Sequence, residues 1–514
     1  MASLSLGRAF RQIGGLTAIS RIMGFVRDIS FATFLGAGVA ADAFLVALKL
    51  PNMFRRLSAE GAMTNAFLPN YATIRETFGQ AAALKLAAEV QIFLMLGLSA
   101  LVLIAEIFMS DLILLLAPGF ANTPERLAAA IDLTRITMPY LPLISIVAFW
   151  AAIANAQDHF KAGAAAPIIA NLCLIVGAVM IPFVASHLDA LRAVPIAIAL
   201  VVAGFTQIIF LYWALSRLHA VPALIWPRLS DAGRKMWRNF LPAAAGAGGM
   251  QLNLLIDLIL ASLLPVGAIS WLYYADRVAQ LPLGVIGIAL GTALLPKLSA
   301  SEAAGQPAEV RNSLSEAIGF AGFFVIPAVT GLVLCSLPII KGLFVYGAFT
   351  LSDAKMAAIA LVAYGCGLPG FVMVKILQTA FYATDQSAVV LRISLIAVVI
   401  NVAGSLSLMP ILGHVGLALA TSVSGTMAAA IMLYLLVRQR RLSTSFLPAC
   451  GKTIVASSVM GLAIIFLQFG LERFVMLPAA ISLTFIVAGG GAVYVVTAYI
   501  MGAVPVGLLH QSND

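Results

Sequence analysis

The chain has 514 residues, of which 62% are hydrophobic and only 10% are charged, and its mean hydropathy is +1.04. Long apolar runs recur along its whole length, so the composition is that of a polytopic helical membrane protein and excludes a soluble domain. The net charge of +9 does not indicate nucleic acid binding, because the basic residues lie mostly in loops on one side of the predicted spans.

Hydropathy and helix-breaking residues predict an all-α fold of 14 transmembrane helices, the second and eighth of which are bent at Pro51 and Pro282. The predicted spans are residues 9–35, 39–75, 82–108, 127–158, 164–186, 192–216, 235–263, 267–300, 313–340, 355–384, 388–409, 414–437, 450–470 and 476–503. If Arg8 and Arg11 are cytoplasmic, most basic loop residues are cytoplasmic too, which places both termini inside. The exceptions are Arg126, Arg192, Lys341, Lys355 and Arg473.

Paired features 227 to 231 residues apart indicate an internal repeat. The pairs are Leu50-Pro51 with Leu281-Pro282, Tyr140-Leu-Pro with Gly367-Leu-Pro, Asp158 with Asp385, and His187 with His414. Six spans per repeat imply two pseudo-symmetric halves of like topology, related by an axis along the membrane normal, as in many transporters. We therefore predict a first six-helix lobe in residues 1–222, a second in residues 223–441, and two additional helices in residues 442–514.

Eight ionisable residues lie between positions 21 and 60, within the first two predicted spans. A charge at the bilayer centre costs about 2.5–3.5 kcal/mol, so this cluster must face a watery cavity or pair internally. Positive charges are in excess, and adjacent residues such as Arg27 and Asp28 do not face each other on a helix, so we interpret the cluster as a binding site. Arginine binds phosphate through two hydrogen bonds and stays charged when partly desolvated, which favours a polyanion. The members are Arg21, Arg27, Asp28, Asp42, Lys49, Arg55, Arg56 and Glu60, with Arg277 and Lys375 added by the second half.

The orientation of the Arg55-Arg56 pair stays open at this point. Seven residues advance a helix face by only about 20°, so an unbroken helix places Asp42, Lys49 and Arg56 on one stripe. A bend at Pro51 can rotate the end of that stripe, and the helical wheel alone does not decide which arginine faces inward.

A second group of polar residues lies within apolar spans and carries one carboxylate. Asn401 and Ser405 are four residues apart and share a helix face. Oxygen ligands with one carboxylate suit a small cation such as Na⁺, and an interhelical hydrogen-bond network explains the same residues, so both interpretations stay open. The members are Asp257, Asn401, Ser405 and Thr421.

Enzyme signatures are scarce in this sequence, so we predict no catalytic residues and no cofactor, apart from Na⁺ as a coupling ion. A GxGxxG pattern from Gly365 to Gly370 lies inside an apolar span and contains a proline, which indicates a helix break or a close-packing site. A membrane polymerase or glycosyltransferase would need a carboxylate base or metal site near an exposed loop, and the short loops offer none.

Two long motifs carry a family resemblance. The first runs from Arg21-Ile-Met-Gly-Phe-Val-Arg27-Asp28 through Asp42-Ala-Phe and Lys49-Leu-Pro-Asn-Met-Phe-Arg55-Arg56 to Glu60-Gly-Ala, and the second from Trp271-Leu-Tyr-Tyr-Ala-Asp-Arg277 through Gly291 to Leu295-Pro296. Both strongly resemble the MurJ (MviN) lipid II flippases of the MOP exporter superfamily. The resemblance covers essentially the whole chain.

The resemblance implies a transporter, not an enzyme, of the bacterial cytoplasmic (inner) membrane. Such a protein moves lipid II, the undecaprenyl-diphosphate-linked peptidoglycan precursor, from the inner to the outer leaflet. The resemblance also implies 14 helices in two six-helix lobes, a cationic central cavity and a final helix pair that contributes a lipid groove. Functional arginines carry over onto Arg21, Arg27, Arg55 and Arg277, with Asp42, Lys49, Glu60 and Lys375 as supporting charges. It therefore favours Arg55 over Arg56.

Some relatives hold Na⁺ in the second lobe, at positions that match Asp257, Asn401, Ser405 and Thr421 here. Ser405 departs from the acidic residue that such sites can have, which removes a ligand charge. The expected partners are lipid II and membrane lipids, with no nucleic acid, for a monomer that associates with cell-wall synthesis proteins. The alternatives are a flippase for another lipid-linked glycan, which needs the same arginines, and a MATE-like small-molecule antiporter, which would have an acidic or aromatic cavity.

Overall fold

The computed structural model describes residues 2–55, 62–184, 189–474 and 478–505. Within these ranges the regular secondary structure is helical and contains no strand. This confirms the predicted all-α class, and it follows from the apolar runs, because a helix satisfies its backbone hydrogen bonds within one segment.

The helices of the first half precede residue 217, and a connecting segment leads into the second half. The first half contains α1 (Ala2–Leu35), α2 (Val39–Arg55), α3 (Ala62–Ile107), α4 (Met109–Leu116), a 3-10 turn (Pro118–Asn122), α5 (Pro124–Thr137), α6 (Tyr140–Asn155), α7 (Phe160–Val179), α8 (Ile181–Val184) and α9 (Val194–Ser216). The second half contains α10 (Asp231–Ser262), α11 (Ala268–Pro282), a π-helical turn (Leu283–Gly287), α12 (Ile288–Ala303), α13 (Pro307–Leu334), α14 (Ser336–Phe344), α15 (Leu351–Ala383), α16 (Ser387–Leu412) and α17 (His414–Arg438). A 3-10 turn (Thr444–Phe446), α18 (Leu447–Phe474) and α19 (Ala479–Ile500) follow.

In the described part of the chain, 9 helices are long and apolar enough to cross a membrane, and the pair α5 and α6 makes a tenth candidate. The chain is therefore a multi-pass membrane protein, while the predicted number of 14 spans stays a prediction. The predicted spans that fall short of this criterion are the first, second, seventh and eighth, which correspond to α1, α2, α10, and α11 with α12. Helices α2, α11 and α12 have 17, 15 and 16 residues, which is shorter than the 18 that the criterion requires. In α10 the criterion covers only Asn253–Ser262, and α1 carries Arg21, Arg27 and Asp28.

Breaks within the predicted spans occur at proline, whereas the non-helical residue Gly79 (φ 83°, ψ 172°) divides α3 between the second and third predicted spans. The fourth predicted span is divided at Pro139, where α5 and α6 meet at an angle of 41°; proline lacks the N–H that an unbroken helix needs. At Pro282, where a bend is predicted, α11 ends and the π-helical turn begins. In contrast, α2 continues as a helix through Pro51 to Arg55.

Helix boundaries support the predicted repeat. The boundaries that recur 227 residues apart are the ends Leu35 and Ser262, the ends Ile107 and Leu334, and the starts Met109 and Ser336, Pro124 and Leu351, and Phe160 and Ser387. Asp158 and Asp385 are also 227 residues apart, and both adopt the left-handed conformation, with φ of 60° and 55°. Non-glycine residues rarely adopt this conformation, so its occurrence at both positions is a further trace of the repeat. His187 lies outside the described residues.

The chain forms two compact units. The first comprises Met1–Ser270 with Tyr346–Phe349, and the second comprises Trp271–Val345 with Thr350–Asp514. In the first unit α7 packs against α1 and α9, α2 packs against α5, and α3 packs against α6 and α10. In the second unit α17 packs against α15 and α16, and α13 packs against α15 and α18. The two units are defined by packing, whereas the predicted lobes are defined by the sequence repeat. The predicted lobe boundaries therefore stay predictions.

The GxGxxG pattern lies inside the continuous helix α15 and is a close-packing site rather than a helix break. A Cβ atom on Gly367 would lie 2.7 Å from the Cα of Ser422, and one on Gly370 would lie 2.7 Å from the Cα of Thr426. Both contacts are with the backbone of α17. Small residues let two helices approach this closely in a membrane protein.

The final helix pair, α18 and α19, packs against α13 within the second unit. Phe323 and Tyr494 belong to a buried cluster with residues of α18 and α19, and their ring centres are 5.4 Å apart. The Tyr494 hydroxyl donates a hydrogen bond to the carbonyl oxygen of Phe323. A buried hydroxyl needs such a partner, so this bond helps to fix the orientation of α19.

Both ends of helix α10 are hydrogen-bonded to earlier parts of the first unit. At its beginning, the buried carboxylate of Glu89 accepts hydrogen bonds from the Ser230 N–H at 3.1 Å and from the Ser230 hydroxyl at 2.6 Å. The Ser230 hydroxyl in turn accepts from the N–H of Gly233 at 3.2 Å, which is a helix N-cap. At its end, the Gly119 N–H donates to the Ser262 hydroxyl at 3.2 Å. A carboxylate is favourable at a helix N-terminus, where the helix dipole is positive.

We expect Glu89→Ala to lower the free energy of unfolding by about 1–3 kcal/mol, because it removes a buried, charged acceptor of two hydrogen bonds from the N-cap residue Ser230. The measurement is thermal unfolding of the purified chain in detergent. Glu76→Ala is the control, since Glu76 is an exposed carboxylate of α3 that precedes the non-helical residue Gly79, whereas Glu89 follows it. An equal melting temperature for Glu89→Ala and Glu76→Ala would contradict the anchoring role.

Candidate functional site

Arg27 is fixed on α1 by partners on two helices. Its Nε and Nη2 atoms both donate to Oδ1 of Asp28, at 3.0 Å and 2.7 Å. Its Nη1 atom donates to Oδ1 of Asn171 on α7 at 3.0 Å. The ring of Phe31 lies below the guanidinium, with its centre 5.6 Å from Cζ. The planar cation is therefore held in one orientation.

The expectation that Arg27 and Asp28 do not pair, because adjacent residues point in different directions on a helix, is wrong. The arginine stem is long enough to fold back, so the guanidinium reaches the neighbouring carboxylate although the two Cβ atoms diverge. The side chain of Asp28 is 3% exposed and that of Arg27 is 18% exposed. The pair thus buries its negative member and keeps part of its positive member accessible.

Asp42, which the sequence analysis assigns to a binding site, does not face water. Its side chain is fully buried, with 0% exposure. Its Oδ2 atom accepts hydrogen bonds from Arg126 Nη2 and from the Gly267 N–H, both at 2.7 Å. Its Oδ1 atom accepts from the Ser270 N–H at 2.9 Å and from the Ser270 hydroxyl at 2.7 Å. The carboxylate therefore joins α2 to α5 and to the beginning of α11, where the helix dipole also favours a negative charge.

Arg126, the partner of Asp42, is among the basic residues predicted on the non-cytoplasmic side, and its side chain is only 2% exposed. It donates a further hydrogen bond to the carbonyl oxygen of Leu264 at 3.2 Å, and its Cζ atom lies 4.0 Å from the centre of the Phe120 ring. The sequence signal for this contact was weak but present. A carboxylate in an apolar stretch needs a cation, and Asp42 has none on its own helix within one turn.

The other cations of the first motif are either exposed or outside the described side chains. Arg21 and Lys49 are exposed side chains of the first unit. Arg55 is the last residue of α2, and its side chain lies outside the described part, as do Arg56 and Glu60. Which of the two adjacent arginines faces inward therefore stays open.

Arg277 and Lys375 belong to the second unit. The Cζ atom of Arg277 lies 4.8 Å from the centre of the Tyr273 ring, which supports the half-buried guanidinium through a cation–π contact. Lys375 is exposed, and its stem passes the π-helical turn: a Cβ atom on Gly287 would lie 3.7 Å from Cγ of Lys375. Single π-helical turns are frequent at functional sites.

Three of the four residues predicted to bind Na⁺ lie in the second unit, and two of them are in contact. The Thr421 hydroxyl donates to Oδ1 of Asn401 at 3.3 Å, and Ser405 is buried one turn after Asn401 with no partner for its hydroxyl among the described residues. Asp257 belongs to the first unit, where Asn253 donates to its carboxylate at 3.4 Å. Within the described ranges, no three His, Cys, Asp or Glu side chains are grouped to hold a metal ion.

We expect Asp42→Asn and Arg126→Gln each to lower the free energy of unfolding by about 3–5 kcal/mol, because each change leaves a buried charge without its partner. The double variant should lose much less than the sum of the two single losses. Thermal unfolding of the three purified variants in detergent measures this coupling. Additive losses would mean that the two charges do not depend on each other.

Comparison with known proteins identifies the family. The family model described as "Lipid II flippase MurJ" matches residues 31–485. A "Probable lipid II flippase MurJ" from Rhizobium tropici is 35% identical over 518 aligned residues, which cover 99% of this chain and 97% of the relative.

Two solved structures share the fold. A "Lipid II flippase MurJ, inward closed conformation" aligns with a TM-score of 0.78 and 24% identity, over 95% of this chain and 98% of that one. A multidrug resistance MATE family transporter of the MOP superfamily, in an inward-facing conformation, aligns with a TM-score of 0.67 and 14% identity, over 82% and 94%. At these sequence identities the structural matches show a shared fold and nothing about function. The family match, which extends over most of the sequence, and the full-length relative show that the chain belongs to the lipid II flippase MurJ family.

Proposed function

We propose that this chain is a transporter that moves lipid II from the inner to the outer leaflet of the bacterial cytoplasmic membrane. Family membership supports this proposal, since the relatives are named lipid II flippases. The main observation in support of the site concerns Arg27. Its guanidinium is hydrogen-bonded to Asp28 and Asn171, and the Arg27 side chain is still 18% exposed. A fixed, partly accessible cation on a membrane helix is suited to binding an anionic headgroup.

The physical task is to carry a diphosphate and its sugars through a layer that cannot solvate them. Transfer of polar and charged groups into an apolar phase without compensation is prohibitive. Arginines that line a hydrated cavity replace the lost water with charge-assisted hydrogen bonds, while the polyprenyl tail stays in lipid. The residues proposed for diphosphate binding are Arg21, Arg27, Arg55 and Arg277, with Lys49 and Lys375 as supporting cations.

The acidic residues have different proposed roles. Asp28 orients Arg27 and lowers the local excess of positive charge, which prevents the headgroup from binding too tightly to be released. Asp42 is assigned to the structure rather than to the substrate, because its four acceptor contacts are filled by Arg126, Gly267 and Ser270. The proposal includes cytoplasmic termini, a functional monomer and association with cell-wall synthesis proteins.

We expect Arg27→Ala and Arg277→Ala each to abolish growth when either variant is the sole flippase in a conditionally depleted strain. The reason is the loss of one positive charge at the proposed diphosphate site, while the helices that carry it remain. Membrane protein level and thermal stability are measured in parallel. Arg438→Ala is the matched control and should support growth, since Arg438 is exposed at the end of α17. Normal growth of either site variant, at wild-type protein level, would assign that arginine to the scaffold.

The same depletion identifies the substrate. Lipid II should accumulate on the cytoplasmic side of the membrane when the protein is removed and should return to normal when the wild-type chain is supplied. Accumulation of a different lipid-linked glycan, with lipid II unchanged, would favour the alternative flippase. If no lipid-linked precursor accumulated, the flippase proposal would fail as a whole.

Sodium coupling, predicted from the sequence, can be tested against the donor set in the second unit. Asn401, Ser405 and Thr421 supply neutral oxygens, and Asn401 is already engaged by Thr421. None of these three side chains is a carboxylate, so the negatively charged ligand that a cation prefers would have to come from elsewhere, as Asp257 does in the predicted set. They fit a hydrogen-bond network between α16 and α17, and the mechanism above contains no sodium step.

We therefore expect the translocation rate in proteoliposomes to be unchanged when Na⁺ is replaced by K⁺ at constant ionic strength. The reason is the neutral donor set, and the measurement is the appearance of lipid II at the opposite leaflet. A rate that falls on removal of Na⁺, and that becomes independent of Na⁺ in Asn401→Ala, would establish the ion site instead.

A further inference from the structure

Asn171 on α7 contacts the guanidinium of Arg27, and it is not among the site residues predicted from the sequence. Its side chain is buried, with 6% exposure. Its Oδ1 atom accepts from Arg27 at 3.0 Å, and its Nδ2 atom donates to the carbonyl oxygen of Ser20 at 3.2 Å. A Cβ atom on Gly24 would lie 3.6 Å from Nδ2, so the amide rests on the glycine between these two contacts.

These contacts follow one face of α1. Ser20, Gly24 and Arg27 are four and three residues apart, which places them on the same side of the helix. The amide spans this face, and its two ends have opposite tasks: one must accept from a guanidinium and the other must donate to a carbonyl. Asparagine is suited to both tasks, whereas aspartate lacks the donor and leucine lacks both groups.

We propose that Asn171 is a positioning residue that holds the Arg27 guanidinium in the orientation in which it binds diphosphate; this inference rests on the proposed function. The hydrogen bonds from Nε and Nη2 of Arg27 meet at one oxygen of Asp28, Oδ1. A guanidinium bound at one oxygen can still pivot about that point. The contact at Nη1 removes this freedom, so that less conformational entropy is lost when the anion binds.

The experiment measures binding of farnesyl diphosphate, a short polyprenyl diphosphate, to the full-length chain in detergent. Asn171→Ala should weaken binding about tenfold, the range expected for one hydrogen bond to a charged group. In an Arg27→Ala background the same change should have no further effect, because Asn171 acts through Arg27. This non-additivity distinguishes positioning from a general structural role.

Gln207→Ala is the matched control. Gln207 is a buried amide on α9 whose Nε2 atom donates to the carbonyl oxygen of Ala166 on α7 at 2.8 Å, so it also ties a helix to α7 but makes no contact with Arg27. Its loss should lower the melting temperature about as much as Asn171→Ala and leave diphosphate affinity unchanged. Equal losses of affinity in Asn171→Ala and Gln207→Ala would overturn the proposal.

Asn171→Asp keeps the size of the side chain and serves if the alanine variant does not fold. It places a second carboxylate beside Arg27, so affinity should fall by more than tenfold; unchanged affinity would overturn the proposal.

The site assignment and the positioning role fail on different results. If Arg27→Ala binds as wild type, the site assignment fails and the positioning role with it. If Arg27→Ala loses affinity and Asn171→Ala does not, only the positioning role fails.

Discussion

A charged side chain within an apolar helix requires either water or a partner, and this requirement governs how the polar helices of the chain are arranged. Removal of a carboxylate from water into a medium of low dielectric costs on the order of 20 kcal/mol before relaxation. The structure meets that cost at Asp42 by surrounding one carboxylate with four donors from three parts of the first unit. The contacts that satisfy the charge are thus the contacts that hold α2, α5 and the beginning of α11 together.

The buried charge of Asp28 is stabilised differently, by the adjacent residue Arg27. The carboxylate is buried, and the arginine side chain that donates to it is still 18% exposed. The local net charge is close to zero, so the attraction for a polyanion must come from the surplus of cations along the motif. The pair contributes geometry, since a planar donor in a fixed orientation selects oxygen atoms with the spacing of phosphate.

Much of the fold could be predicted from the sequence because helices and repeats leave local, periodic signals. Apolar runs located most helices to within a few residues, and paired motifs located the repeat. The contacts of the candidate site could not be predicted in the same way. Asp42 and Arg126 are 84 residues apart, and no periodicity connects them. The pairing of Arg27 with Asp28 depends on the rotamer of a flexible side chain. Pro139 was visible in the sequence, but hydropathy on both sides of it is continuous, so the break was missed.

The anchored helix α10 has a consequence for how the protein is made. Glu89 and Gly119, which hold its two ends, are synthesised before α10 is, whereas α11 and the rest of the second half come later. Membrane insertion proceeds from the N-terminus, and domains generally fold in that order during synthesis. Helix α10 can therefore dock onto parts of the first unit that are already made, before the second unit is synthesised. A defect in this anchor would then appear first as misassembly of nascent chains, even if the completed protein tolerated it.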